Sequence, residues 1–125
     1  MDLTLKYTPV QVKDPESVKD FLLDFFGFIY WRKAFITGNL EGIIVGLNVT
    51  DPHRMLLVNG GPGSAGTLII NTDDCLKDYN ELLQKGISPG QKPQYTAMGL
   101  AVTIEDASGN KYVLLEEREY EENKS

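Results

Sequence analysis

The chain has 125 residues, of which 42% are hydrophobic and 24% charged, and its formal net charge is −6 at pH 7. The length is that of one domain, and the composition is that of a globular protein rather than a disordered one. The acidic balance argues against a nucleic-acid partner, because phosphate backbones are bound by clustered Lys and Arg, and the twelve basic residues here are scattered.

Three further absences narrow the class of protein. The N-terminus has no apolar run behind a positive flank, and no stretch approaches the roughly 20 apolar residues that cross a bilayer. The single cysteine, Cys75, excludes an internal disulfide and a cysteine-rich zinc site. We therefore expect a cytoplasmic protein with no membrane partner.

The first half of the chain reads as a strand, a helix and three strands. Residues 5–12 alternate loosely and precede Asp14-Pro15, which predicts a helix over 15–26 with Asp14 as N-cap and Gly27 at its end. Three strand-like runs follow, FIYWRKAFI, GIIVGLNV and RMLLVN. The apolar stripe of the helix, which we expect to be buried against Val10 and Val12, consists of Val18, Phe21, Leu22 and Phe25.

The second half repeats this order after a glycine-rich segment at 60–66. That segment is a linker rather than a phosphate loop, because no Lys-Ser or Lys-Thr follows its glycines and no helix begins there. Strand TLIINT, a helix over about 74–85, and strands GLAVTIE and KYVLLEE come next. The repeat, with a period of about sixty residues, predicts one domain made of module one at about 3–59, a linker at 60–66 and module two at about 67–118.

Three segments resemble the vicinal oxygen chelate superfamily, which comprises glyoxalases, bleomycin-resistance proteins and dioxygenases. VKDPESVKDFLLDFFGF is similar to that family's first strand-to-helix segment, INTDDCLKDYNELLQKGI to its second-module equivalent, and GLAVTIEDASGNKYVLLE to its final hairpin. The resemblance implies an α+β fold in which two βαβββ modules form curved mixed sheets around a concave cavity. It also suggests a bacterial source.

Strand alternation assigns side chains to the expected cavity. In the first strand Tyr7, Pro9 and Gln11 share the cavity side, and in the fifth strand Thr67, Ile69 and Asn71 do. Pro9, which cannot donate a ladder hydrogen bond, suits a sheet edge. Trp31 and Arg32 lie on the second strand, and both can point inward only if a bulge intervenes. The predicted ligand-binding residues are Tyr7, Gln11, Trp31, Arg32 and Thr67, with Tyr95 and Met98 as candidates to cap the pocket.

The family's metal-ligand positions, as the resemblance places them, carry no metal donors here. The His, His and Glu of metal-dependent members correspond to Tyr7, Thr67 and Val113, and a fourth ligand position to Leu56 or Leu57. A divalent cation needs imidazole, carboxylate or thiolate donors. We therefore predict no metal and no cofactor. The lone His53 reads as an exposed turn residue.

These observations predict a metal-independent, glyoxalase-like protein that binds a small organic molecule, as the bleomycin-binding members do. The resemblance also implies a homodimer. Two alternatives stay open. One is an enzyme of lyase or isomerase type that uses acid–base residues such as Tyr7 or Arg32 in place of a metal. The other is a structural or interaction protein whose pocket has filled in. No residue is assigned a catalytic role.

Overall fold

A computed structural model describes residues 1–3, 6–37, 40–61, 63–64 and 66–117 of the chain. The chain divides into two compact units, Met1–Gly66 and Thr67–Ser125. Each unit contains one four-stranded mixed sheet and one helix, which confirms the predicted α+β architecture of two repeated modules. Neither helix within the described ranges has the length and apolarity that crossing a membrane requires.

The first unit consists of β1 (Tyr7–Val12), α1 (Pro15–Phe26), β2 (Ile29–Thr37), β3 (Leu40–Gly46) and β4 (Arg54–Asn59). Its strands lie in the order β1-β4-β3-β2. The β1–β4 pairing is parallel, and the other two pairings are antiparallel. Strand β1 is therefore at a sheet edge, which explains why Pro9 is tolerated within it.

Helix α1 begins and ends where its capping residues predict. The Asp14 carboxylate accepts hydrogen bonds from the Glu16 N–H at 3.1 Å and the Ser17 N–H at 3.3 Å. It also accepts one from the Ser17 hydroxyl at 2.8 Å. These bonds, the hydroxyl's above all, lower the pKa of Asp14. Gly27 ends the helix in the left-handed region at φ 72°.

The buried face of α1 is narrower than its sequence pattern predicts. Val18 and Leu22 are both 0% exposed and pack toward β3 and β4. Phe21 and Phe25, which we expected to be largely buried, are neither fully buried nor exposed. Their rings pack on each other, with centroids 4.8 Å apart.

The second unit consists of β5 (Thr67–Asn71), α2 (Cys75–Gln84), β6 (Gln94–Thr96), β7 (Gly99–Glu105) and β8 (Lys111–Glu117). Its strands lie in the order β5-β8-β7-β6, again with one parallel pairing, β5 with β8. Burial alternates along β5 as predicted: Leu68 and Ile70 are buried, whereas Thr67, Ile69 and Asn71 are exposed. Strand β6 was missed, because three residues in a Gly/Pro-rich stretch are too short for alternation to show.

The turn between β7 and β8 is organised by Asp106. Its carboxylate accepts hydrogen bonds from the N–H groups of Ser108 and Asn110, both at 2.9 Å. It also accepts one from the buried Tyr112 hydroxyl at 2.7 Å. Gly109 supplies the positive φ of 90° that the turn requires. A single carboxylate thus fixes the hairpin at the end of the second sheet.

Candidate binding site

The first sheet has one face against α1 and one face that carries Tyr7. In the strand register Tyr7 pairs with Arg54 and Pro9 pairs with Leu56, which in turn pairs with Ile44. Paired residues point to the same side of a sheet, so these five side chains share a surface. We call it the Tyr7 face.

A β-bulge in β2 places two consecutive side chains on the Tyr7 face. Tyr30 pairs with Val45 and Arg32 pairs with Ile44, so Trp31 is the extra residue of this strand. Tyr30 lies on the α1 side, where the Lys19 ammonium is 5.4 Å from its ring centre. Trp31 and Arg32 both line a single concavity of the Tyr7 face. The sequence analysis required a bulge if Trp31 and Arg32 were both to point inward, and the structure contains that bulge.

Two adjoining concavities occupy the Tyr7 face, and both include Lys6 and Tyr7. One, the cationic concavity, has a volume of about 370 Å³. The other, the apolar concavity, has a volume of about 420 Å³. The cationic concavity is lined by Lys6, Tyr7, Trp31, Arg32, Ile44 and Arg54. The apolar concavity is lined by Lys6, Tyr7, Pro9, Ile36, Leu40 and Leu56.

Trp31 and Arg54 form a stacked pair within the cationic concavity. The guanidinium carbon of Arg54 is 3.7 Å from the centre of the indole ring, a close cation–π contact. Gly46 lies beneath the indole, where a Cβ atom would be 2.9 Å from Trp31 Nε1. The buried Nε1 of Trp31 and the buried Nε of Arg54 both lack a hydrogen-bond acceptor in the described structure. Burying two donors without acceptors lowers the stability of the protein.

The phenol of Tyr7 lies among three cations. Interaction of its hydroxyl with the Arg32 guanidinium is the largest cause that lowers the pKa of Tyr7 from its usual value of about 10, and the charges of Lys6, Arg32 and Arg54 act in the same direction. Partial burial opposes them. Tyr7 therefore ionises at a lower pH than an ordinary tyrosine.

We expect Arg32→Gln to raise the pKa of Tyr7, because it removes the largest cause of the lowering. The pKa is measured from the near-ultraviolet absorbance of tyrosinate during a pH titration. The titration of each protein, with and without Arg32→Gln, is compared by difference with that of the same protein carrying Tyr7→Phe. That difference isolates one of the six tyrosines. Buried Tyr112, whose pKa is strongly raised by desolvation, does not interfere. An unchanged Tyr7 titration in Arg32→Gln would contradict the assignment.

The structure brings together three of the five predicted ligand-binding residues, Tyr7, Trp31 and Arg32. Gln11 is exposed, further along β1, and is not among the residues that line either concavity. Thr67 belongs to the second unit, where it is exposed on β5. Their binding roles stay predictions. The proposed caps Tyr95 and Met98 are 69% and 54% exposed in the second unit.

Sequence reasoning missed Lys6 and Arg54, which supply two of the three cations. The signal for Arg54 was available: it precedes Leu56 by two residues on β4, so a Leu56 that faces the cavity places Arg54 there as well. Its direct pairing with Tyr7 depends on a strand register that the sequence does not give. Lys6 immediately precedes Tyr7, and its ammonium is 5.7 Å from the phenol ring centre.

The positions that the resemblance assigns to the family's metal ligands carry side chains that are poor metal donors. They hold a phenol at Tyr7, a hydroxyl at Thr67 and hydrocarbon side chains at Val113, Leu56 and Leu57. Leu56 is on the Tyr7 face and Leu57 on the opposite one, since neighbours on a strand alternate. In the part of the chain that the structure describes, no three His, Cys, Asp or Glu side chains cluster as a metal site would require.

Other reactive side chains have structural surroundings. The His53 ring is 91% exposed, with Nδ1 3.1 Å from Asp51 Oδ1 in the turn before β4. Burial raises the pKa of the Cys75 thiol, with further contributions from nearby carboxylates, so it is a poor nucleophile. The carboxylate of Glu116 accepts a hydrogen bond from the Cys75 N–H at 2.9 Å, at the start of α2.

Comparison with known proteins agrees with this architecture. The model of the Glyoxalase/Bleomycin resistance protein/Dioxygenase superfamily matches residues 4–114. No curated protein matches significantly.

Solved structures with the same fold include TnmS3, an antibiotic binding protein from Streptomyces sp. CB03234. It is 24% identical with a TM-score of 0.73, over 94% of this chain and 98% of that one. A superfamily member from Sphaerobacter thermophilus DSM 20745 is 20% identical with a TM-score of 0.71, over 91% and 98% of the two chains. A glyoxalase/bleomycin resistance protein from Streptomyces sp. CB03234 is 25% identical with a TM-score of 0.65, over 88% and 97%.

Proposed function

Because the chain belongs to the Glyoxalase/Bleomycin resistance protein/Dioxygenase superfamily, we propose that it binds a small organic molecule on the Tyr7 face, without a metal ion. The observation that carries the proposal is the pair of adjoining concavities, one lined by three cations and the other mostly by apolar side chains. Structural relatives include an antibiotic binding protein, which supports a binding role.

The same observations weigh against a filled, purely structural pocket. Concavities of about 370 Å³ and 420 Å³ are within the range of small-molecule sites, and together they combine apolar walls with a few polar groups. A filled pocket would instead present packed apolar side chains.

Binding to Trp31 can be tested directly, because the chain has a single tryptophan and hence one indole N–H resonance. The probes are naphthoate, naphthalenemethanol and naphthylmethylammonium, which share one ring system and differ in charge. We expect at least one of them to shift the Trp31 indole resonance in a saturable manner in proton–nitrogen correlation spectra. If none of the three does so, the proposed function is wrong.

Metal independence predicts a specific elemental analysis. Protein purified without chelator should contain well under one equivalent of zinc, nickel, manganese or iron per chain, because the family positions offer no imidazole or carboxylate. The binding of the naphthalene probes should also be unchanged after dialysis against a chelator. A stoichiometric metal ion, or loss of binding on chelation, would overturn this part of the proposal.

The homodimer implied by the family resemblance stays a prediction. Multi-angle light scattering of the purified chain should give twice the 13.9 kDa mass of one chain. A monomeric mass at micromolar concentration would contradict it. A cytoplasmic location and a bacterial source are likewise expectations.

A further inference from the structure

We propose that the ligand is an organic acid, with its anionic group in the cationic concavity and its apolar body in the apolar concavity. This inference rests on the proposed function and names the chemical class of molecule that the same site selects. It follows from the charge of one concavity, the chemistry of the other and the two residues that they share.

The charge of the cationic concavity is opposite to that of the protein. Three of its six lining residues are the cations Lys6, Arg32 and Arg54, and none is an acid, in a chain whose net charge is −6. Among the residues that the structure describes, no carboxylate lies within 4.0 Å of these three cations, as an ion pair would require. The charge of Arg54 contributes to lowering the pKa of Asp51, but the hydrogen bond from the His53 backbone N–H is the largest cause.

A third concavity of the first unit contains a cation whose charge is balanced by nearby carboxylates. It lies at the start of α1, where Lys33 is accompanied by Asp14, Glu16 and Glu41. The Lys33 ammonium is 4.0 Å from the Glu16 carboxylate. The cationic concavity has no such acids, so its positive charges repel one another until an anion enters.

The stacked pair contributes to the charge of this concavity. The Arg54 guanidinium carbon is 3.7 Å from the centre of the Trp31 indole ring, and both residues line the concavity beside Arg32. A carboxylate or phosphate oxygen that enters can accept charge-assisted hydrogen bonds from the guanidinium groups. A cationic ligand could accept no such bonds and would add repulsion.

The apolar concavity explains why a simple inorganic anion is insufficient. Its walls include Pro9, Ile36, Leu40 and Leu56, none of which carries a polar side-chain group. Ile36 is 49% exposed, so an apolar body placed here would remove hydrocarbon surface from water. Lys6 and Tyr7 line both concavities, which makes them the junction between the acidic group and the body.

Gly46 permits the geometry of the anion site. Because it has no side chain, the indole of Trp31 can lie over β3 and beneath the Arg54 guanidinium. A methyl group at this position would meet Trp31 Nε1 at 2.9 Å and Arg54 Cγ at 3.3 Å. It would displace the stacked pair without removing a charge.

The test compares dissociation constants, measured by calorimetry, for the three naphthalene probes and inorganic phosphate. We expect naphthoate to bind about tenfold or more tightly than naphthalenemethanol, since it adds charge-assisted bonds. Naphthylmethylammonium should bind more weakly than both, and phosphate more weakly than naphthoate. If the neutral or cationic probe binds best, the molecule still has a binding site but the inference about acids is wrong. Phosphate binding as tightly as naphthoate would show that the apolar concavity contributes nothing.

Variants locate the anion. Arg54→Gln should weaken naphthoate about 30-fold or more, in line with the loss of a buried charged partner, while naphthalenemethanol changes little. The matched control is Lys33→Gln, which removes a cation outside the site and should leave naphthoate binding unaltered. If Arg54→Gln does not fold, the substitution Lys6→Gln at an exposed residue replaces it in the test. Lys6→Gln should weaken the binding of naphthoate but not that of naphthalenemethanol. Equal losses of naphthoate and naphthalenemethanol in either variant would overturn the inference.

Gly46→Ala tests whether the position of the stacked Trp31–Arg54 pair matters, independently of the charge. It should weaken the binding of naphthoate although the charge of the concavity is unchanged. Gly90→Ala, whose added Cβ meets nothing within 4 Å, should leave the binding of naphthoate unaltered. Unaltered naphthoate binding in Gly46→Ala would show that the placement of the Trp31–Arg54 pair does not matter to recognition.

Discussion

Replacing Leu22 by alanine is expected to lower the free energy of unfolding by about 2–5 kcal/mol, the usual range for a fully buried leucine. Leu22 is 0% exposed and lies with Val18 at the contact of α1 with the first sheet. Its removal leaves a cavity that neighbouring strands cannot readily fill, because their hydrogen-bonded ladders hold them in place. Urea denaturation followed by circular dichroism measures the change.

Phe21→Ala is the control on the same helix. Although phenylalanine is larger, Phe21 is partly exposed, so its loss should cost only roughly 1–2 kcal/mol from lost burial and its ring contact with Phe25. The sequence pattern alone would have given the two residues similar weight. A larger loss for Phe21→Ala than for Leu22→Ala would mean that the buried face of α1 has been misassigned.

Replacing Asp106 by alanine should lower the free energy of unfolding by about 3 kcal/mol or more, because hydrogen bonds to a charged group are each worth about 1.5–3 kcal/mol and a buried donor is left unsatisfied. The variant loses the acceptor of the Ser108 and Asn110 N–H groups and of the Tyr112 hydroxyl. Tyr112 is 0% exposed, so water cannot replace the carboxylate without rearrangement of the hairpin. Thermal unfolding of the variant measures the loss.

Tyr112→Phe isolates one of these bonds. It removes the hydroxyl but leaves the carboxylate with the donors of Ser108 and Asn110, so the expected loss is smaller, about 1–2 kcal/mol. In the double variant the effects should not add, because both changes break the same bond. Additive losses would show that the Tyr112–Asp106 contact contributes nothing to stability.

Much of the fold could be predicted from local signals in the sequence. Asp14-Pro15 and Gly27 fix the bounds of α1, because capping and left-handed conformations are properties of single residues. The alternation of Leu68 and Ile70 with Thr67, Ile69 and Asn71 fixes the faces of β5, because a strand has a period of two. The superfamily was indicated separately, by the resemblance of three segments that occur in the family's order along the chain.

The binding site depends on features that no local signal encodes. The bulge in β2 that brings both Trp31 and Arg32 to the Tyr7 face is a property of the pairing of β2 with β3, not of β2 alone. The pairing of Tyr7 with Arg54 joins residues 47 positions apart through a parallel register. The sequence by itself therefore determined both helices, seven of the eight strands and the faces of β5. Only the tertiary structure decided which cations meet around Tyr7, because charge clustering depends on strand register and not on sequence distance.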